Sequence, residues 1–246
     1  MGVGGVVGIV RLGVGLLQPT SSNTISFRSE ADSGVGDSLG AITPGTIVNG
    51  DLLLPIVVYL NDNASTTPGT VTCTPPSGFT SFSKNTFNFT GGGAVANQQI
   101  NLEIFTKFAL NESGGYTFTF SNNDAGAAAY SNLIFLVYSG VNRATPIGAS
   151  LASTGGPSST SLTSTANGVT IGRSNSLLLW IFAGLSTSST FPSGFTTRAN
   201  NVDGVQGVAE FAAGYGPTGN KTGTVAGDAA TQNGYIAQLI SLNPLG

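Results

Sequence analysis

The sequence contains no histidine and only one cysteine, Cys73. Without histidine there is no Ser-His or Cys-His pair for nucleophilic catalysis, and no His-based zinc site. A single cysteine cannot form an intrachain disulfide, so the fold carries no covalent staple. Charge is also scarce. Asp, Glu, Lys and Arg make up 8% of the 246 residues, against about 25% in ordinary globular proteins. The net charge of −3 comes without any run of like charge. Nucleic acid would call for clustered Lys and Arg, so it is excluded as a partner. No stretch reaches the roughly twenty apolar residues of a membrane span. No segment shows a convincing helical period either.

What is present is hydrophobic and repetitive. Apolar residues are 40% of the chain and include 14 Phe, too many for a disordered protein. Ser, Thr, Asn and Gly must solvate the surface, which suits a protein packed into an assembly or living outside a cell. The chain also repeats itself. Asp51-Leu52-Leu53-Leu54 with Pro76-Ser77-Gly78-Phe79-Thr80 returns as Ser176-Leu177-Leu178-Leu179 with Pro192-Ser193-Gly194-Phe195-Thr196. Ile104–Ala109 is echoed by Val208–Ala213, and Asn132–Val137 by Gly234–Leu239. Four matches in the same order mark an internal duplication. Phe79 and Phe195 are then expected to be equivalent core plugs.

Period-two alternation runs throughout. Tyr116-Thr117-Phe118-Thr119-Phe120 places three aromatics on one strand face. Leu52–Leu60 and Leu177–Leu185 are nearly continuous apolar runs, as expected of strands covered on both faces. Pro55 lacks a ladder donor and suggests a bulge or an edge. Turn residues separate the runs, giving about a dozen strands. The expected fold is all-β: an antiparallel β-sandwich of jelly-roll type built from two duplicated halves, with an extended N-terminal arm. Residues 1–23 form the arm and 24–246 a single domain, with halves of about 24–150 and 151–246. Ser150–Thr165 between them reads as a loop or edge strand crossing from one half to the other.

Met1–Leu17 alternates Gly with Val, Ile and Leu around a central Arg11. It lacks the basic start and uninterrupted core of a secretory signal. An arm that adds to a neighbouring subunit fits it best. The candidate contact residues are Val3, Val6, Val7, Ile9, Val10, Arg11, Leu12, Val14, Leu16 and Leu17.

Other candidates for chemistry are sparse. Cys73 without a base reads as a small filler beside Pro75-Pro76. Glu103 and Glu210, at roughly equivalent places in the repeats, are the most tempting carboxylate pair for a glycosidase. They read better as outward strand residues paired with a Lys such as Lys107. Asp62, Asp124 and the Glu30/Asp32 pair could face calcium, but no EF-hand loop exists, and Asn/Asp turns usually satisfy their own backbone. Trp180 within Leu177–Phe182 reads as core rather than a sugar platform, and the tyrosines are scattered. Sequons at Asn63, Asn88, Asn111 and Asn220 matter only in a eukaryotic secretory pathway. No metal or cofactor is expected, and no catalytic residue.

Several of these segments together resemble a known domain. They are Asn49–Leu54, Thr74–Thr80, Tyr116–Ser121, and Val137-Tyr138-Ser139-Gly140-Val141 followed by Pro146-Ile147. The set is similar to a β-sandwich domain recurrent in bacteriophage tail and virion-surface proteins, over about Thr24 to Leu242. Phe79 and Phe195 stand where that family usually has Trp. Asn142 replaces an Asp, and Gly148 replaces the acid after Pro-Ile. The resemblance implies a non-enzymatic virion protein on the particle surface, with capsid decoration as the leading role. A tail-fibre or adsorption module that binds host glycans is the alternative. Its partners would be the major capsid protein or tail proteins and further copies of itself, with no nucleic acid and no membrane.

Overall fold

The computed structural model describes residues 24–34, 39–62, 71–88, 98–121, 131–155, 161–184, 188–190, 195–201, 206–211, 218–226 and 235–246. The N-terminal arm, with its candidate contact residues from Val3 to Leu17, lies outside the described residues. Fifteen strands and no helix occur among them. In the first half they are β1 (Ser26–Asp32), β2 (Leu52–Asp62), β3 (Thr72–Thr74), β4 (Thr80–Asn88), β5 (Gln98–Phe108), β6 (Thr119–Ser121) and β7 (Ser131–Ser139). In the second they are β8 (Ile147–Gly155), β9 (Ser161–Thr170), β10 (Leu177–Gly184), β11 (Ser188–Thr190), β12 (Thr196–Asn201), β13 (Gln206–Phe211), β14 (Thr218–Ala226) and β15 (Tyr235–Leu242). The excess over a dozen comes from three-residue strands, too short to show alternation.

The duplication governs the topology. The first half builds a five-stranded antiparallel sheet in the order β1-β7-β2-β5-β4. The second builds β8-β15-β10-β13-β12, the same order strand for strand. Each half adds a small sheet: β3-β6 in the first, β11-β14-β9 in the second. An isolated bridge, Ile42 to Tyr116, stands where β9 pairs with β14. Within each half the pairs therefore nest: β1 with β7, Ile42 with Tyr116, β2 with β5; and β8 with β15, β9 with β14, β10 with β13. Nesting of this kind is that of a long hairpin rolled on itself.

The two large sheets pack face to face, with β1 against β12 and β4 against β8. Period-two pleating sorts the side chains. Leu52, Leu54, Ile56 and Val58 of β2 point into this seam, together with Ile134 and Leu136 of β7. Leu177, Leu179 and Ile181 of β10 meet them, with Ile236, Ile240 and Leu242 of β15. One apolar cluster thus draws on both halves. Each such side chain contributes about 1.5–3 kcal/mol on burial.

The opposite face of each large sheet is covered too, which is why the central strands are apolar on both faces. Leu53, Val57, Phe105, Leu133, Phe135 and Val137 form a second cluster with Ile42, Val71, Tyr116 and Phe118. In the second half Leu178, Trp180, Phe182, Ala237 and Leu239 form a third, and β9 lies against β8 and β15. Trp180 is core, as the sequence indicates. The chain is layered small sheet, large sheet, large sheet, small sheet.

Pro55 is neither an edge nor a bulge. It lies in a central strand opposite Phe135. The ladder to β5 skips Leu54 and Pro55 without a change of register, which accommodates the missing N–H. Ser150–Thr165 crosses between the halves as the end of β8, an edge strand, and the start of β9.

A hydrogen-bonded polar contact crosses the seam. Gln238 of β15 is 1% exposed. Its amide donates to Ser83 Oγ at 3.0 Å and Ser150 Oγ at 2.8 Å, and its carbonyl oxygen accepts from Asn85 Nδ2 at 3.0 Å. Its backbone registers opposite Ile181, where the first half has Ile134 opposite Ile56. A second link closes at the chain's C-terminal end. Asn142 N–H donates to Asn243 O at 2.9 Å, Asn243 N–H to Pro146 O at 2.8 Å, and Leu245 N–H to Gly140 O at 2.9 Å.

A seam built from both halves makes each half dependent on the other. Residues 24–150 expressed alone would expose the inward face of a whole sheet. We expect insoluble or non-cooperative material, checked by thermal melting of the fragment. A soluble half with a sharp transition would contradict the shared core.

Candidate functional site

Among the described residues, one group of chemistry-bearing side chains meets between the first large sheet and β3. Glu103 of β5 points to the outer face beside Tyr59 of β2 and is 7% exposed. Tyr59 Oη donates to Glu103 Oε2 at 3.2 Å and Ser81 Oγ to Oε1 at 2.9 Å. Lys84 registers directly opposite Glu103, and its ammonium sits 5.5 Å from the Tyr59 ring centre and 3.4 Å from Val71 O. The half-buried Cys73 of β3 completes the group.

Burial and charge keep the thiol and the phenol of this group protonated. Burial first, and then the Glu103 charge, push the Cys73 thiol up to about 12, against a smaller lowering by Lys84. The thiolate is therefore negligible at neutral pH. Burial and the same carboxylate hold the Tyr59 phenol far above its usual value. A protonated phenol and a serine hydroxyl donate to one carboxylate, an arrangement that satisfies a buried charge.

This placement corrects two expectations. Glu103 is buried on the covered outer face, bonded to Tyr59 and Ser81, and does not pair with Lys107. Nor is it equivalent to Glu210: Glu103 registers opposite Val57 and Glu210 opposite Leu179. Val57 belongs to the outer cluster and Leu179 to the seam between the sheets. The two carboxylates therefore do not share one cleft at equivalent positions. Of Glu210 and Asp62 only the backbone is described, and Asp124 lies outside the described residues.

Lys107 has another partner. Its Nζ meets Glu112 Oε2 at 2.9 Å. Tyr116 Oη donates to the same oxygen at 2.8 Å, and Leu110 N–H to Oε1 at 3.1 Å. The Lys107 ammonium also lies 5.4 Å from the Phe79 ring centre and 5.8 Å from that of Tyr116. Gly78, at φ 88°, lets the turn pass over the Lys107 stem. Phe79 packs edge-on against Tyr116 at 5.4 Å and Phe135 at 5.9 Å. The ring is half-buried, so it seals the outer cluster rather than filling its centre. Phe195 does the same for the third cluster.

The other acids are bound into the frame. Asp51 is buried, pairs with Arg28 Nε at 2.6 Å and accepts from Val48 N–H at 2.8 Å. Asp32 Oδ1 accepts from Gly34 N–H and Asn132 Nδ2, each at 2.9 Å. Burial raises the Glu30 carboxyl, against the nearby Arg198 charge. Among the described residues no group of three or more acids or cysteines is placed to hold a metal.

Where the resembled family carries acids, this chain uses its residues for the backbone. Asn142 Oδ1 accepts from the N–H groups of Ala144 at 2.9 Å and Thr145 at 3.0 Å. A side chain at Gly148 would run into the Asn243 amide. An open hollow of about 320 Å³ lies beside Asp32, lined by Ala31, Ser33, Gly40, Ile42 and Thr43. Of its polar lining, Asp32 Oδ1 is bonded to Gly34 N–H and the Asn132 amide, and Ser33 Oγ to Gly34 O and Leu133 N–H.

No protein-family model, characterised protein or solved structure matches the chain. The likeness to virion domains rests on the sequence motifs alone.

Two predictions follow from the Phe79 turn. Phe79→Ala is expected to cost roughly 2–3 kcal/mol in denaturant unfolding, below the 3–5 kcal/mol of a fully buried aromatic. Burial would raise the Glu112 carboxyl, but its bonds from Lys107, Tyr116 and Leu110 outweigh that and hold it below the usual range. A depressed folded pKa stabilises above the unfolded value and is lost as pH falls through the folded one. Glu112→Gln should therefore cost about 1–2 kcal/mol near pH 7. The gap to the unsubstituted protein should close as pH drops below about 4.5, read from melts across pH.

Proposed function

We propose that the chain is a non-enzymatic structural protein of a bacteriophage virion, a capsid decoration protein on the particle surface. The supporting observation is how the acids are used. Glu103, Glu112 and Asp51 each carry internal bonds to their own frame, and Asp32, which lines the open hollow, spends Oδ1 on Gly34 N–H and the Asn132 amide. A low-charge surface of Ser, Thr, Asn and Gly over three apolar layers suits a subunit held in a lattice.

We read each half as a jelly-roll unit, from its nested strand pairs. Viral coat domains and lectins both use that architecture, so the fold alone does not choose between them. The glycan-binding alternative needs exposed aromatic platforms. Trp180, Tyr59, Tyr116 and Tyr138 are all buried, and Phe82 is the described large aromatic left open. That favours decoration over adsorption.

The test is electron cryomicroscopy of purified particles produced with and without this protein. Decoration predicts regularly placed density on the outer shell that vanishes from particles lacking it. Density confined to the tail tip, with loss of host attachment, would favour the adsorption module. Absence from particles would overturn both.

A further inference from the structure

The turn that leads into β2 carries an Asn-Gly step, Asn49-Gly50, and Asn49 is exposed to water. Asn-Gly is the dipeptide most prone to spontaneous deamidation. The Gly50 nitrogen loses its proton and attacks Asn49 Cγ, and ammonia leaves. Water then opens the succinimide at either carbonyl, to aspartate or to isoaspartate. Glycine favours the reaction because it gives the attacking nitrogen the most freedom to swing in.

The fold obstructs each part of that reaction. Asp51 N–H donates to Val48 O at 3.0 Å, and Gly50 stands at φ 93° while Asn49 has no positive φ. Together these define a type II turn, in which the backbone beyond Asn49 is extended. Ring closure needs the Gly50 nitrogen eclipsed with Asn49 Cβ, and this turn points it well away. Gly50 N–H also donates to Ala109 O at 2.9 Å, which holds the proton that must leave first. The Asn49 side chain is tied at both ends. Its Oδ1 accepts from Asn111 N–H at 2.7 Å, and its Nδ2 donates to Asn111 Oδ1 at 3.1 Å. Asn111, at φ 54°, offers both groups to the same neighbour. Ala109 N–H closes the corner on Asp51 O at 2.8 Å. Nucleophile and carbonyl are thus both bonded to residues 109–111 and cannot meet while that segment is docked.

We propose that Asn49-Gly50 is a dormant deamidation site, kept closed by residues 109–111 and reactive only when that corner opens. The second repeat makes the contrast. Arg173–Ser176 occupies the place of Val48–Asp51 before the matching leucine run, with Ser174 for Asn49 and Asn175, at φ 62°, for Gly50. The turn therefore forms without an Asn-Gly step, and the chemistry belongs to the first repeat's turn. The products cannot re-dock as before. Aspartate at position 49 sets a carboxylate oxygen against Asn111 Oδ1 where a donor stood. Isoaspartate adds a methylene to the backbone of the turn that delivers Asp51 to Arg28. Each opening that reacts is trapped as a covalent change. The inference is independent of the virion reading.

The test is peptide mapping by mass spectrometry of the full chain incubated at neutral pH, folded and in urea, beside hydrogen exchange of the Gly50 amide in the folded chain. The same nitrogen exchanges its proton and makes the attack, so exchange measures the opening that deamidation requires. Asn49 should deamidate at least about tenfold more slowly folded than in urea, and by no less than the factor that protects the Gly50 amide. Asn111→Gly keeps the positive φ at no steric cost and removes the side-chain acceptor. It should speed deamidation of the folded chain with nearly the same melting temperature. Asn49→Ser, copying Ser174, should fold alike and give no product in this peptide. Deamidation of the folded chain at the urea rate, a slowing smaller than the Gly50 protection, or an Asn111→Gly variant no faster than its parent would each overturn the proposal.

Discussion

Everything in this molecule leans on the apolar seam between the two large sheets. Its residues come from both repeats, and its central strands are buried along their length. A sheet with one face buried needs a partner for that face, and here the partner is the duplicated copy of itself. The matching strand orders place β1 opposite β12 and β4 opposite β8, so each repeat's first strand meets the other repeat's β4-type strand. That is the arrangement two copies adopt about a two-fold axis. A dimer of rolled hairpins has, in effect, been joined in one chain. The Gln238 bridge breaks the symmetry. It replaces an apolar position with an amide whose partners lie on β4 and β8, and so adds a polar contact to one side of the interface.

The outer layers explain why the polar side chains beneath them are bonded internally. Each small sheet covers a hydrophobic face with few residues, so any polar side chain caught beneath must be satisfied locally. Tyr59, Ser81 and Glu103 do this under β3. Lys107, Glu112 and Tyr116 do it beneath the Phe79 turn. Titratable groups here have their values displaced as a by-product of burial.

Much of the fold was legible in the sequence because duplication and period-two alternation are local signals. The Leu52–Leu60 and Leu177–Leu185 runs announced strands covered on both faces, and Trp180 announced itself as core. Pairing was not legible. The nesting of β1 with β7 and of Ile42 with Tyr116 joins residues far apart in sequence, and only tertiary packing selects it. The fourth repeat match slipped. Leu54 pairs with Leu136 and Leu179 with Ile240, two residues beyond the echo in the sequence. The facing of Glu103 failed for a related reason. Alternation tells which residues share a face, yet in a sheet covered on both sides neither face is solvent. Lys107, on the same strand as Glu103, drew attention as a partner, while the true partners Tyr59 and Ser81 sit on two other strands.

Native-state hydrogen exchange tests the central claim most directly. If the two repeats fold as one unit around their common seam, amides in β2 and β7 and amides in β10 and β15 should exchange only through the same global opening. Their protection free energies should coincide and fall together as denaturant is raised. Two distinct sets, one repeat opening while the other stays protected, would mean two separately stable halves and would contradict the account.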